Sequence, residues 1–164
     1  MKKIKAFAFA LILLLLFTAC GQEEQGRLTV FSFSGKEEQF SVSNGVIVLS
    51  DAEEIFHGGD LKAADGFSSD AVSYTTTFYL LSGNEKKVFL SNAVHDMTGA
   101  GLRVPQDLGQ VSGEHILPEE IKTEDINTLN QNFYFELIAV NQSGEERVYQ
   151  LPLSLTEITK NAEQ

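Results

Sequence analysis

Phe133-Tyr134-Phe135-Glu136-Leu137-Ile138-Ala139-Val140, then Asn141-Gln142-Ser143-Gly144-Glu145, then Arg147 to Leu155, is the stretch that decides the fold. Two β-prone runs flank a polar loop with a glycine near its end, the pattern of a β-hairpin. The same reading applies further upstream. Val72 to Leu81 is rich in β-branched and aromatic residues, and Ser82-Gly83-Asn84-Glu85 turns it back into Lys87-Val88-Phe89-Leu90. From Leu28 the side chains alternate, with Thr29, Phe31 and Phe33 on one face and Leu28, Val30 and Ser32 on the other. Ser34-Gly35-Lys36-Glu37 then reads as a turn. Asn44-Gly45 reads as a hairpin turn between Phe40-Val42 and Val46-Leu49.

About seven strands with turn signals between them predict an all-β chain, an antiparallel immunoglobulin-like β-sandwich over residues 27–158. Twelve Phe, four Tyr and no Trp suit pleated surfaces buried on one side. The helical candidate is Pro118 to Leu129, where Thr123 reads as the cap of a single turn; a loop with one helical turn fits the same residues. Residues 159–164 are polar and read as a frayed tail.

The first nineteen residues are of another kind. Lys2, Lys3 and Lys5 make a positive start, Ala6 to Phe17 is an unbroken apolar run, and the small Thr18 and Ala19 precede Cys20. The run is too short for an ordinary spanning helix, and its flanks fit a cleaved secretory signal; an uncleaved N-terminal anchor is the alternative. Leu16-Phe17-Thr18-Ala19-Cys20 resembles the lipobox of bacterial lipoproteins. The resemblance implies a diacylglyceryl group on the Cys20 sulfur and a mature chain that starts at Cys20, with 1–19 removed. Phe17 departs from the usual Leu at its position. Cys20 is the chain's one cysteine, so a disulfide within the chain is excluded. Residues 20–26 are polar and bracketed by glycines, which reads as a tether.

Removal of 1–19 takes three lysines from a chain with 12 Lys and Arg against 23 Asp and Glu, so the net charge moves from −11 to −14. A surface this acidic argues against nucleic acid as a partner, because phosphate binding needs clustered Lys and Arg. Phe33-Ser34-Gly35-Lys36-Glu37 after a first strand, with the closing strand pair around Gly144, resembles small lipoproteins of Bacillus-like Gram-positive bacteria. That family implies a β-rich domain in the cell envelope, with no assigned activity. Lys36 and Phe40 depart from the acidic residue and the Trp common there.

Catalytic patterns are weak. Gly109-Gln110-Val111-Ser112-Gly113 misses the Gly-x-Ser-x-Gly elbow by one residue, and Gly99-Ala100-Gly101-Leu102 lacks the lysine of a phosphate loop. The acids from Asp51 to Glu54, with Asp60, Asp65 and Asp70, lack EF-hand spacing and read as solvated loops. No enzyme and no cofactor is expected. Asn92 to Gly113 is a long polar connection, and His95, Asp96, Arg103 and Asp107 on it are the expected binding residues. The function expected is a non-enzymatic binding domain, held to the membrane by lipid on Cys20 and contacting an envelope protein, peptide or small solute. The alternative is a metal-dependent envelope protein, a metal binder or hydrolase, in which His57, His95 and His115 gather from three loops.

Overall fold

The computed structural model describes residues 28–67, 70–97, 102 and 104–159. The signal segment 1–19, Cys20, the tether 20–26 and Arg103 lie outside the described residues. The strands are β1 (Thr29–Lys36), β2 (Phe40–Leu49), β3 (Glu54–His57), β4 (Asp60–Ala63), β5 (Ala71–Ser82), β6 (Glu85–His95) and β7 (Gln110–Gly113). Two short helices follow, α1 (Glu120–Thr123) and α2 (Ile126–Asn132), then β8 (Phe133–Asn141), β9 (Glu146–Pro152) and β10 (Ser154–Glu157). Every pairing is antiparallel. One sheet has the order β10-β1-β2-β3-β7, with β4 also on β2, and the other has the order β6-β5-β8-β9.

The two sheets pack face to face through phenylalanine. Phe33 of β1 stacks on Phe56 of β3 at 5.3 Å between ring centroids, and it meets Phe78 and Phe133 of the opposite sheet edge-on at 5.8 and 5.1 Å. Phe56 in turn meets Phe78 and Phe89 at 4.9 and 4.8 Å. Edge-to-face pairs add attraction beyond the area they bury, so this cluster both fills the core and fixes its shape. The all-β sandwich expected from alternation is therefore present.

Several local expectations give way to longer-range contacts. Asn44-Gly45 is no hairpin turn: β2 runs straight through it. Asn44 takes a left-handed φ of 59°, and the β1–β2 register shifts so that Phe33 faces Gly45 while Gly35 faces Val42. Ser43 and Asn44 of β2 thus lie opposite Ser34 alone of β1, which is a β-bulge. Ser34-Gly35 is likewise strand, and the turn sits later, where the Glu37 N–H donates to the Phe40 carbonyl. Arg147 to Leu155 is not one strand. Buried Leu153 donates its N–H to the Phe133 carbonyl, and the chain passes there from β9 in one sheet to β10 in the other.

The helical candidate resolves into two helices. Asp125, and not Thr123, is the functional cap: its carboxylate accepts from the N–H groups of Asn127 and Thr128 at 2.9 and 3.2 Å. Ile121 and Leu129 close that end of the core. At the chain's far end, Thr159 accepts a hydrogen bond from the Val30 N–H. Among the described residues no helix is long and apolar enough to cross a membrane.

Candidate functional site

Two kinks placed side by side shape the site. Gly58 and Gly59 interrupt the row that β3 and β4 make along β2, opposite the bulge at Asn44-Gly45. Gly59 has a φ of 77°, and a Cβ there would lie 2.2 Å from the Ser43 carbonyl oxygen, so only glycine fits. The Asn44 side-chain amide donates to Asp60 across the gap at 2.6 Å.

The segment after β6 locks onto this kink. Gly58 N–H donates to the Gly109 carbonyl at 2.8 Å, Leu108 N–H to the Gly59 carbonyl at 3.0 Å, and Leu61 N–H to the Gln106 carbonyl at 2.8 Å. Leu108 is buried in the core, and its carbonyl also accepts from the Asn92 side-chain amide at 3.0 Å. Asp107 closes an Asx turn by accepting from the Gly109 N–H at 2.8 Å, and it bridges to Asp60. The strands claim both ends of the long connection, since β6 extends to His95 and β7 begins at Gln110. What remains is tied down along Gln106 to Gly109.

Beyond Leu61 the two segments part. They leave a cleft of about 700 Å³ between Asp60–Phe67 on one side and Leu102, Val104 and Gln106 on the other. That volume lies within the usual range for ligand sites. Phe67 backs it, held at 5.8 Å from Phe40 and 4.8 Å from Tyr149. Lys62 and Asp65 are exposed on its rim. Its described lining mixes the apolar Leu61, Ala63, Phe67, Leu102 and Val104 with the charged Asp60, Lys62 and Asp65. Among its described lining residues none is a Ser, Thr, Cys or His.

Of the binding residues expected from sequence, Asp107 bridges to Asp60 beside this cleft without lining it. It lines, with Pro105 and Gly109, a smaller hollow of about 360 Å³ beside Asn92 and Val94. His95 pairs with Ser73 at the exposed end of β6, and Asp96 donates its N–H to the Val72 carbonyl; neither lines the cleft. The signals that sequence reading passed over are Leu102 and Val104, apolar residues in a polar stretch, and Phe67 after Gly66.

The three histidines stand apart. His57 and His115 belong to opposite ends of β3: His57 closes the strand, and His115 lies two residues past Gly113, which pairs with Glu54 at its start. His95 is on the other sheet, eight residues along β6 from Lys87, about 26 Å. Lys87 marks the helical end by its ion pair with Glu120 of α1. Among the described residues no three His, Cys, Asp or Glu side chains are grouped so as to hold a metal ion.

The acids near His115 have a structural use. Glu54 is buried, takes the Leu117 N–H at 2.9 Å and pairs with Lys122 of α1 at 2.5 Å. Burial alone would raise the Glu54 carboxyl; the Lys122 ammonium and the Leu117 N–H together outweigh it and hold the carboxyl below its ordinary 4.5. Glu54 thereby clamps α1 and the loop before it to the edge of β3. No protein-family model, curated protein or solved structure matches the chain.

Proposed function

We infer that this protein is a lipid-anchored extracytoplasmic binding domain of the cell envelope, without catalytic activity, whose recognition site is the cleft between β4 and the Leu102–Gln106 segment. The cleft carries the reading: its lining is part apolar and part charged, and the hydrogen bonds of Leu61, Leu108 and Gly109 tie down its root. Rigid scaffolds bearing loop-lined hollows suit recognition. What this reading takes from an immunoglobulin-like domain is two packed antiparallel sheets with binding at one end.

The anchor and the cleft are arranged compatibly. The described chain enters β1 at Thr29, which pairs with Leu49 at one end of β2, whereas β4 pairs with Phe40–Ser43 at the other. Leu49 and Val42 are seven residues apart, about 23 Å along the strand. Leu28 stands eight positions after Cys20, a reach of at most about 29 Å. Two acyl chains on Cys20 hold such a domain firmly, and its acidic surface keeps it off anionic headgroups.

The experiment uses the full chain in cells, with a photo-crosslinking amino acid at Lys62 or, as a control, at Val148 on β9. A specific adduct from position 62 alone, on protein that leaves the membrane fraction when Cys20→Ala is introduced, supports both halves of the reading. Membrane partition and migration unchanged by Cys20→Ala would remove the anchor. Absence of any adduct specific to position 62 would remove the site.

A further inference from the structure

We propose that a groove at the other end of the sandwich binds a small amphipathic cation, an ammonium group on a hydrocarbon body, with the charge among Asp51, Glu124 and Glu157 and the hydrocarbon against Phe31, Leu49 and Ile126. This second site does not rest on the cleft reading and is tested apart from it.

The groove has an apolar floor because of strand alternation. Thr29 pairs with Leu49 and lies two residues before Phe31, so all three share the inner face of their sheet. Ile121 of α1 and Ile126 and Leu129 of α2 close against them, and the join leaves a hollow of about 420 Å³. Phe31, Ile121 and Leu129 are buried, whereas Leu49 and Ile126 are half-buried and still offer surface. That volume suits a small ligand. The groove lies at the Leu49 end of β2, away from the Phe40–Ser43 end where β4 pairs.

The rim is acidic. Asp51, Glu124, Asp125 and Glu157 are exposed there, against one cation, Lys122. The Lys122 ammonium already meets two carboxylates that do not line the groove, Glu54 at 2.5 Å and Glu119 at 3.4 Å. Asp125 accepts from the N–H groups of Asn127 and Thr128, so those donors are closed to an outside anion. Glu124 and Glu157 form no ion pair among the described residues. Four carboxylates over one ammonium leave a negative excess beside apolar surface, and a cation with a hydrocarbon body answers both features.

The chain's own ends lack that chemistry. Residues 21–26 hold two glutamates and no apolar or basic side chain, and 160–164 hold no apolar residue larger than alanine. Leu28, beside Thr29, is 53% exposed. Arg27 is the competing cation and has its own arm in the test.

The experiment titrates hexylammonium, hexan-1-ol or hexanoate into the full chain in nonionic detergent micelles. The methyl resonances of Ile121 and Ile126 report binding, with Ile138 on β8 as control. Expected is a saturable shift at Ile121 and Ile126 alone with hexylammonium, weaker at high salt, with hexan-1-ol binding less tightly and hexanoate not at all. Glu124→Gln combined with Glu157→Gln should weaken hexylammonium binding about three- to tenfold while the unfolding midpoint stays near wild type, since both side chains are exposed. Glu124→Lys combined with Glu157→Lys should turn the preference to hexanoate. Arg27→Gln should leave hexylammonium binding as in wild type. Hexan-1-ol binding as tightly as hexylammonium would overturn the proposal, as would the absence of a saturable shift or indifference to both pairs of substitutions. Binding that appears only with Arg27→Gln would overturn it too, because the chain's own arginine would then fill the groove.

Discussion

Gly45 lies directly beneath the ring of Phe33: a Cβ at Gly45 would come within 2.1 Å of Phe33 Cε2 and 2.3 Å of Cζ. The bulge at Asn44 turns this cross-strand pair so that the Phe33 ring covers the glycine and reaches Phe56, Phe78 and Phe133. The absence of one side chain on β2 thus seats the central ring of the core.

Gly45→Ala should be strongly destabilising. The added methyl has no free volume, and Phe33 has no room to retreat within its aromatic cluster. Overpacking of this kind costs about 1–3 kcal/mol. Urea unfolding followed by far-ultraviolet circular dichroism should show a lower midpoint at unchanged slope; a wild-type midpoint would contradict the contact.

Lys122→Met should leave the Glu54 carboxylate buried with only the Leu117 N–H to bond it. Breaking a fully buried pair costs about 3–5 kcal/mol; because Lys122 keeps 24% of its side-chain surface exposed, about 2 kcal/mol is expected. Glu54→Gln in the same background should recover part of the loss. A double-mutant cycle with no coupling would argue against the clamp.

Stability should fall on both sides of neutrality. Glu54 and Glu136 both have carboxyls lowered from 4.5; for Glu136, burial opposes the Gln150 and Lys86 bonds that prevail. A depressed folded value means that the unfolded chain takes up protons first, so this stability is complete above pH 4.5 and is lost as pH drops below it. Tyr79, buried against Tyr134, has its phenol pushed up from 10 to about 12 by burial first and by Glu136 second. It stays neutral in the fold where the unfolded chain ionises, so stability declines from pH 10 towards 12. Unfolding midpoints across pH should show both shoulders, the acid one flattened by Glu136→Gln and the alkaline one by Tyr79→Phe.

Leu108→Ala should loosen the cleft from its root. The side chain is 1% exposed, and its truncation costs about 2–5 kcal/mol in a core site. Amides of Gly58, Leu61 and Leu108 should exchange faster than those of β8. Uniform exchange across both regions would mean that the segment is held by other contacts.

Much of the sandwich was legible in the sequence because its signals are local. The β-branched and aromatic content of Val72–Leu81 and Phe133–Val140 marks strands whose turns, at Gly83 and Gly144, take the left-handed φ that glycine permits. The expected acidic surface and the helical tendency near Pro118 are of the same kind, each a property of neighbouring residues. The candidate residues His95, Asp96 and Asp107 were drawn from one connection, yet the strands divide them: Asp107 bridges to Asp60 beside the cleft, while His95 and Asp96 sit against β5.

What the sequence by itself determined is the all-β character and the positions where the backbone could turn back or kink. Only the tertiary structure decided which of the two happened. Asn44-Gly45 permits a left-handed residue, a permission that a hairpin and a bulge use equally; Phe33 on one side and Gly59 on the other make it a bulge. The same two kinks bring β4 against Gln106, with Leu102 and Val104 lining the cleft beside it. A cleft made by segments some forty residues apart depends on contacts that no local pattern records.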